Sequence, residues 1–567
     1  MKELSLFIEP KSTDFSKLRS PLSILKDEHI LAVATECKSI QRARKFHIGK
    51  YLHTVMSILN SSTKASEFKL SNIAELYNSS VDEDNRLDAK CIHNKIRTEN
   101  FLDTVICLVS ELLYATTTPS FQRKVRNSTP AELKQLLKLL TVNDIIMIDG
   151  TEIDVSYSCA DNFTCKGKGR PSDDGTPPRP GIKLHIAYSL LKQTCEFIKF
   201  TEAVGNEKAY VYPERFNNCL IIADRGYISE ELEKNIEANN NYFIIKGKSN
   251  TAGTITSAKD LQGNIIPDCQ GKKVSQLPDN INADLAVTSA SGHNLRVVHH
   301  VNPLKDANED KDSFSNLRTN IPANVMNAEQ IYQLYRLRWQ IELFNKANKS
   351  GNCLQSINSA NHNIILTFIL LSIADSILKT ICAVEAMASQ YDNQDMQDAK
   401  DEQNMQDVQN MQVEHQGSFS EMVDTPETIS AYDANNAKNK GKNTSNVKGK
   451  NTSSVKGKIT RNEKAKNNSN KAKTKDQPVK THNGTFGFKM VSLLKLHCNH
   501  SAFEKFFTAL LKRKLSSIYK IFKELCNNIL KTCLRTKPSA RDRDSYRDLP
   551  TLIKKIIDLS REGATLA

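Results

Sequence analysis

The stretch that most constrains this chain is YRLRWQIELFNKANKS, residues 335–350. Within it Tyr335, Arg338, Glu342 and Lys349 follow one another at intervals of three, four and seven residues. On a helix advancing roughly 100° per residue they fall at about 0°, 300°, 340° and 320°. A phenol, two cations and one carboxylate therefore share a stripe about 60° wide. Leu334, Leu337, Ile341 and Phe344 land at about 180° to 260°, a separate apolar face able to pack on a core. Asn327 with Gln330 three residues on has the form of a capping box, and Gly351 is a natural stop. The spacing predicts a long helix, buried on one side and carrying an ordered polar row on the other. The bland alternative is a solvated ion-pair face.

Two aspartates upstream stand in strand-like settings. In NDIIMIDGTEIDVSYS the apolar run at 145–148 reads as a strand buried on both faces, and Asp149 follows it directly. A carboxylate there is costly to bury unless a cation, a metal or hydrogen bonds meet it. Asp144, Glu152 and Asp154 are rival acids in the same stretch. Each lies an odd number of residues from Asp149, so a regular strand points them to the opposite face, although a bulge at Gly150 would reset the alternation. In NNCLIIADRGYIS, Asp224 ends a second short apolar strand, and the carboxyl ends of strands are where open α/β sheets place functional groups. Between them, KLHIAYSLL and TCEFIKFTEA read as a hairpin turning at Lys192 and Gln193. A helix ahead of Leu220, a helix over residues 229–238 and the strand YFIIKGK complete the expected order of strand, strand, strand, helix, strand, helix, strand.

The pattern Y-x2-R-x3-E-x6-K, with DRGY upstream, resembles the signature of the DDE transposases of the insertion-sequence-four family. The resemblance covers roughly residues 143–380. It implies an α/β, RNase H-like mixed sheet with flanking helices, in which the first and fourth strands are neighbours, and a β-rich insertion at about 250–320. It implies Asp149, Asp224 and Glu342 as catalytic acids and metal ligands, with Tyr335, Arg338 and Lys349 as DNA contacts near the scissile phosphate. Three carboxylates holding two Mg²⁺ ions about 3.5–4 Å apart would activate water and stabilise the leaving oxygen, and Mn²⁺ would substitute. The implied reaction is cleavage at the ends of a mobile element, followed by attack of the freed 3′-hydroxyl on target DNA. Double-stranded DNA is the implied partner, both as terminal repeats and as target. The resemblance also implies a homodimer on paired ends and a bacterial, cytoplasmic, nucleoid-associated setting. The alternatives are an inactive transposon-derived DNA-binding protein and a host nuclease or resolvase on the same core.

Residues 1–140 read as a helical domain. FKLSNIAELYNSS and the helix after it, which carries Lys90, His93, Asn94, Lys95 and Arg97, suggest a helix-turn-helix; the alternative is an ordinary amphipathic pair. The catalytic domain is expected over 141–384. Residues 385–484 are an acidic, Gln-rich tract followed by KGKNTSNV, KGKNTSSV and KGKIT at a period of eight, too poor in large apolar residues to pack, and are expected to be disordered. Helical periodicity returns over 485–567. Of the net charge of +14, the segment 437–480 alone carries +12, from 14 Lys and Arg against Glu463 and Asp476, so bulk charge says little about the rest. His299 and His300 are adjacent on a strand and point apart, a poor chelating pair. His497, Cys498 and His500 form only a small cluster, and no zinc spacing is evident. The N-terminus does not read as a signal peptide. The apolar run at 364–374 is broken by Asp375 and Lys379, too short to span a bilayer, and reads as a core helix.

Overall fold

The computed structural model describes residues 5–10, 21–42, 45–61, 69–165, 179–204, 207–248, 253–301, 314–351, 359–417, 490–491, 496, 500–512, 515–535 and 549–565. It divides into a large unit, residues 1–395 with 486–567, and a second unit of residues 396–485.

The N-terminal part is helical as expected, with one exception. Ser5–Ile8 forms a strand, β1, pairing antiparallel with a later strand at the edge of the main sheet. Helices α1 (Asp27–Glu36), α2 (Ile48–Leu59), α3 (Leu70–Ser79), α4 (Ala89–Ile96), α5 (Glu99–Ala115), α6 (Pro119–Ser128) and α7 (Ala131–Leu140) follow. Their starts are written locally. Asp88, Thr98 and Thr118 each accept a backbone N–H of the first turn, and Pro119 supplies a preset φ.

The period then changes from helix to strand. β2 (Asp144–Asp154), β3 (Gly181–Ser189) and β4 (Thr194–Glu202) form an antiparallel meander. β5 (Cys219–Ala223), α8 (Glu230–Ala238) and β6 (Tyr242–Lys246) follow, with β5 parallel to both β2 and β6. The first and fourth core strands are thus neighbours, and the order β4-β3-β2-β5-β6 is RNase H-like. The helix expected ahead of β5 is not there. Two single 3₁₀ turns, Glu207–Tyr210 and Pro213–Arg215, make the connection instead. Pro213 and the left-handed residues Tyr212 (φ 53°) and Asn218 (φ 54°) leave no run long enough for an α-helix.

The β-rich insertion consists of β7 (Thr254–Lys259), β8 (Ala283–Thr288), β9 (Asn294–Val301) and β10 (Phe314–Thr319). These strands extend the core sheet through a β10–β6 pairing, giving ten strands in the order β1-β4-β3-β2-β5-β6-β10-β9-β8-β7. Arg318 on β10 pins α8 with two 2.7 Å bonds to the buried carboxylate of Glu233. His299 and His300 point apart as expected: His299 meets Asn316 at 2.7 Å, and His300 meets Glu329 at 2.8 Å.

Downstream lie α9 (Ala328–Tyr335), a 3₁₀ turn (Arg336–Arg338), α10 (Trp339–Lys346) and a π-helical turn (Ala347–Gly351). α11 (His362–Gly417) runs on past the expected boundary at 384. The repeat blocks and the His497–Cys498 pair lie outside the described residues. α12 (His500–Leu511), α13 (Leu515–Thr532) and α14 (Leu549–Thr565) make up the C-terminal helices.

One continuous core joins the N-terminal helices, one face of the sheet, α9 to α11 and the C-terminal helices; a smaller one lies on the sheet's other face beneath α8. Residues 362–389 are apolar and long enough to cross a membrane, yet 364–383 are wholly buried in this core. Its Asp375 and Lys379, both fully buried, pair at 2.7 Å, and Asn60 of the segment after α2 donates to Asp375 at 2.7 Å. Lys379 also lies over the ring of Phe503 on α12. Polar residues inside an apolar helix are tolerated here because they satisfy one another.

Candidate active site

The register of the two parallel strands brings the aspartates together. The last β2–β5 pair is Ile148 with Ala223, so the next residues on the two strands are Asp149 and Asp224. Neighbouring strands lie about 4.8 Å apart, and residues in register point the same way. On β2, Ile145 and Met147 face the large core while Ile146 and Ile148 face the smaller one; on β5, Leu220 and Ile222 face the large core. Alternation puts both aspartates on the large-core side, where α10 packs. β2 continues past Asp149 to Asp154, so Asp149 lies mid-strand, where its parallel partner has ended.

Asp224 caps the turn that follows, its Oδ1 accepting from the Gly226 N–H at 2.8 Å. The rival Asp144 is spoken for at the far end of β2. It is buried and accepts from Ser189 at 2.5 Å and from the Leu191 N–H at 3.0 Å, and burial pushes its carboxyl up to about 6. Glu152 and Asp154 fall on the opposite face from Asp149 by the same alternation.

The expected capping box starts the signature helix, with Asn327 and Gln330 exchanging two 2.9 Å bonds. Leu334, Leu337, Ile341 and Phe344 are all fully buried. Each contributes about 1.5–3 kcal/mol by leaving water, against about 0.3–0.5 kcal/mol for an exposed helical ion pair. The apolar face therefore fixes how this segment docks, and the polar row follows. The segment is not a uniform α-helix, however. It tightens to a 3₁₀ turn at Arg336–Arg338 and widens to a π turn at Ala347–Gly351, so a constant 100° projection is only approximate.

The row is still largely assembled. The Arg338 guanidinium lies 5.8 Å from the centre of the Tyr335 ring and donates from Nη2 to Glu342 Oε1 one turn on. Lys349 sits on the π turn, half-buried. The strands and this helix meet directly, since Asn345 on α10 donates from Nδ2 to Asp149 Oδ2 at 2.8 Å. Asn345 went unnoticed in the sequence, although at about 280° it lies beside the polar stripe.

The electrostatics agree with this grouping. Burial, helped by the nearby charges of Asp224 and Glu342, pushes the Asp149 carboxyl up to about 6, while Arg338 and Asn345 hold it down. Burial likewise pushes the Tyr335 phenol up to about 12 against the pull of Arg338. Burial alone would loosen the Arg338 proton, but Tyr335, Glu342 and Asp149 around it hold it more firmly than usual. Among the described residues no three acidic, histidine or cysteine side chains stand close enough to form a ready-made metal site. The donor set nevertheless suits a hard cation: three carboxylates, one within a strand, one just past the end of the neighbouring strand and one on a helix packed across them, each accepting one hydrogen bond.

Residues 141–373 match the family described as the transposase DDE domain. A curated relative, the transposase for insertion sequence element IS1151 of Clostridium perfringens, is 25% identical over 262 residues, covering 40% of this chain and 54% of the relative. The chain thus spans about half the length of the curated relative it matches. The segment matched by the family contains the aspartate strands and Glu342, and residues 141–373 form a domain similar to the DDE domain of transposases.

Proposed function

We propose that this chain is an insertion-sequence transposase of the insertion-sequence-four type, cutting DNA at the ends of its element and joining the freed 3′-hydroxyl to target DNA. The observation that carries this reading is the placement of Asp149 and Asp224 on adjacent parallel strands, with the Glu342 helix tied to Asp149 through Asn345.

Asp149, Asp224 and Glu342 are the residues that would hold divalent metal, two Mg²⁺ or Mn²⁺ ions in our reading. When bound, the ions would lower the pKa of an attacking water and neutralise charge on the leaving oxygen. The protein's own groups prepare that site. Asn345 orients the Asp149 carboxylate, and Gly226 orients that of Asp224. Arg338 keeps Glu342 in place while no phosphate is present. A guanidinium binds phosphate oxygens in a planar fork, so an arriving DNA strand can draw Arg338 away and free Glu342 for metal. Lys349 would add a second phosphate contact, and Tyr335, braced by Arg338, a contact to the sugar-phosphate backbone. On α4 the exposed Lys90, Asn94, Lys95 and Arg97 opposite buried Ile92 and Ile96 would bind the flanking duplex. Two ends must be cut together, which favours a homodimer, and chromosomal DNA as target places the protein at a bacterial nucleoid.

The test is cleavage of a labelled duplex carrying the element's terminal repeat, with Mg²⁺ or Mn²⁺, by wild type and Glu342→Gln. Metal-dependent nicking at the repeat boundary, abolished in the variant, supports the assignment. Binding without cleavage by either protein favours a DNA-binding derivative of a transposase. Cleavage that survives in Glu342→Gln removes Glu342 from the site.

A further inference from the structure

A fourth carboxylate stands behind the two aspartates. Glu207 opens the 3₁₀ turn Glu207–Tyr210 that replaces the expected helix before β5. Its Oε1 forms a 2.5 Å ion pair with Lys183 Nζ on β3, both side chains being largely withdrawn from solvent. The same carboxylate packs on the glycine that follows each aspartate. A methyl group added to Gly150 would stand 3.1 Å from Glu207 Oε1, and one added to Gly226 would collide with Glu207 Oε2. Gly150 follows Asp149 directly, and Gly226 donates to Asp224. Burial first, and then the charges of Asp149, Glu207 and Asp224, push the Tyr227 phenol up.

We propose that Glu207 is a positioning residue that sets the separation of Asp149 and Asp224 by clamping Gly150 of β2 and the Gly226 turn against Lys183. The inference rests on the metal-centre reading above. The turn bearing Glu207 is itself anchored, because the Tyr210 ring meets His185 at 4.6 Å between centroids and lies under Lys199. Lys183 neutralises Glu207, so the clamp adds rigidity without adding a net charge to a site already crowded with carboxylates. A side chain at either glycine would meet the end of the Glu207 carboxylate, which can swing away, so such a substitution would displace the carboxylate rather than the backbone.

The experiment is calorimetric titration of the full chain with Mn²⁺, alongside thermal melting and cleavage at graded metal concentrations. Groups that orient metal ligands typically change metal affinity by about 10–100-fold when removed, so Glu207→Ala is expected to weaken Mn²⁺ binding about tenfold. Glu207→Gln should lie between Glu207→Ala and wild type. Cleavage in both should recover at high metal, the half-saturating concentration moving and the maximal rate little changed. The exchanged pair Lys183→Glu with Glu207→Lys should recover part of the affinity. If Glu207→Ala does not fold, Glu207→Gln and Gly226→Ala give the same readings. Wild-type metal affinity in a folded Glu207 variant overturns the proposal and leaves the metal centre standing. Complete loss of binding, equal to that of Asp224→Asn, overturns it in favour of direct ligation. No Mn²⁺ binding by wild type overturns the metal-centre reading itself, and this inference with it.

Discussion

Asn345 Nδ2 donates to Asp149 Oδ2 at 2.8 Å, a single bond joining residues 196 positions apart. It connects the helix that supplies one acid to the strand that supplies another. A hydrogen bond to a charged group is worth about 1.5–3 kcal/mol, so Asn345→Ala should slow metal-dependent cleavage about tenfold or more. Asn345→Asp should be worse, since it replaces the donor with a further negative charge. Single-turnover cleavage rates of the two variants, compared at equal metal, check the order.

Arg338 holds Glu342 and its charge acts on Asp149, which gives its removal opposite effects on two equilibria. Arg338→Gln should bind Mn²⁺ more tightly than wild type in the absence of DNA, because Glu342 is released. It should bind DNA more weakly, with a salt dependence shallower by about one phosphate contact. Trp339, the chain's single tryptophan, adjoins Arg338 and provides a fluorescence signal for both titrations.

Asp149 carries a carboxyl raised from 3.8 to about 6. The folded protein therefore holds a proton that the unfolded chain releases between those values. The favourable contribution is complete below about pH 4 and is lost as pH rises through 6. Asp149→Asn should consequently raise metal-free stability at pH 7.5 by about 1–3 kcal/mol, with no gain at pH 4. Urea unfolding at both pH values gives the comparison. The same protonation should make metal-dependent cleavage fall as pH drops through about 6.

Lys379 and Asp375 are paired in the apolar core, with Asn60 as a further partner of Asp375. Lys379→Met removes the cation and leaves a buried carboxylate without its counter-charge, at a cost of about 3–5 kcal/mol. Lys379→Met combined with Asp375→Leu should recover most of that loss. Thermal melts of the single and double variants decide this. A single variant as stable as wild type would show that the pair contributes little.

Much of the site was legible because its signals are local. The capping box at Asn327 and Gln330, the apolar face from Leu334 to Phe344 and the aspartates at the ends of apolar runs are all short-range patterns. The neighbouring of the first and fourth strands was expected from the family resemblance rather than from any local signal. The missing helix before β5 was misread because the mixed polar and apolar stretch 203–218 can be a helix or a pair of turns, and Pro213 with two left-handed residues decides for turns.

The sequence by itself determined which residue types could meet and on which face of their own element each lies, because helix and strand periodicities are set by the backbone. Only the tertiary structure decided which faces come together. Asn345 with Asp149, Glu207 with Gly150 and Gly226, and Asn60 with Asp375 are contacts between residues far apart in the chain. Closing such loops is driven mainly by burying the apolar faces behind them, a non-directional force that leaves little local trace of which polar atoms it will bring within reach.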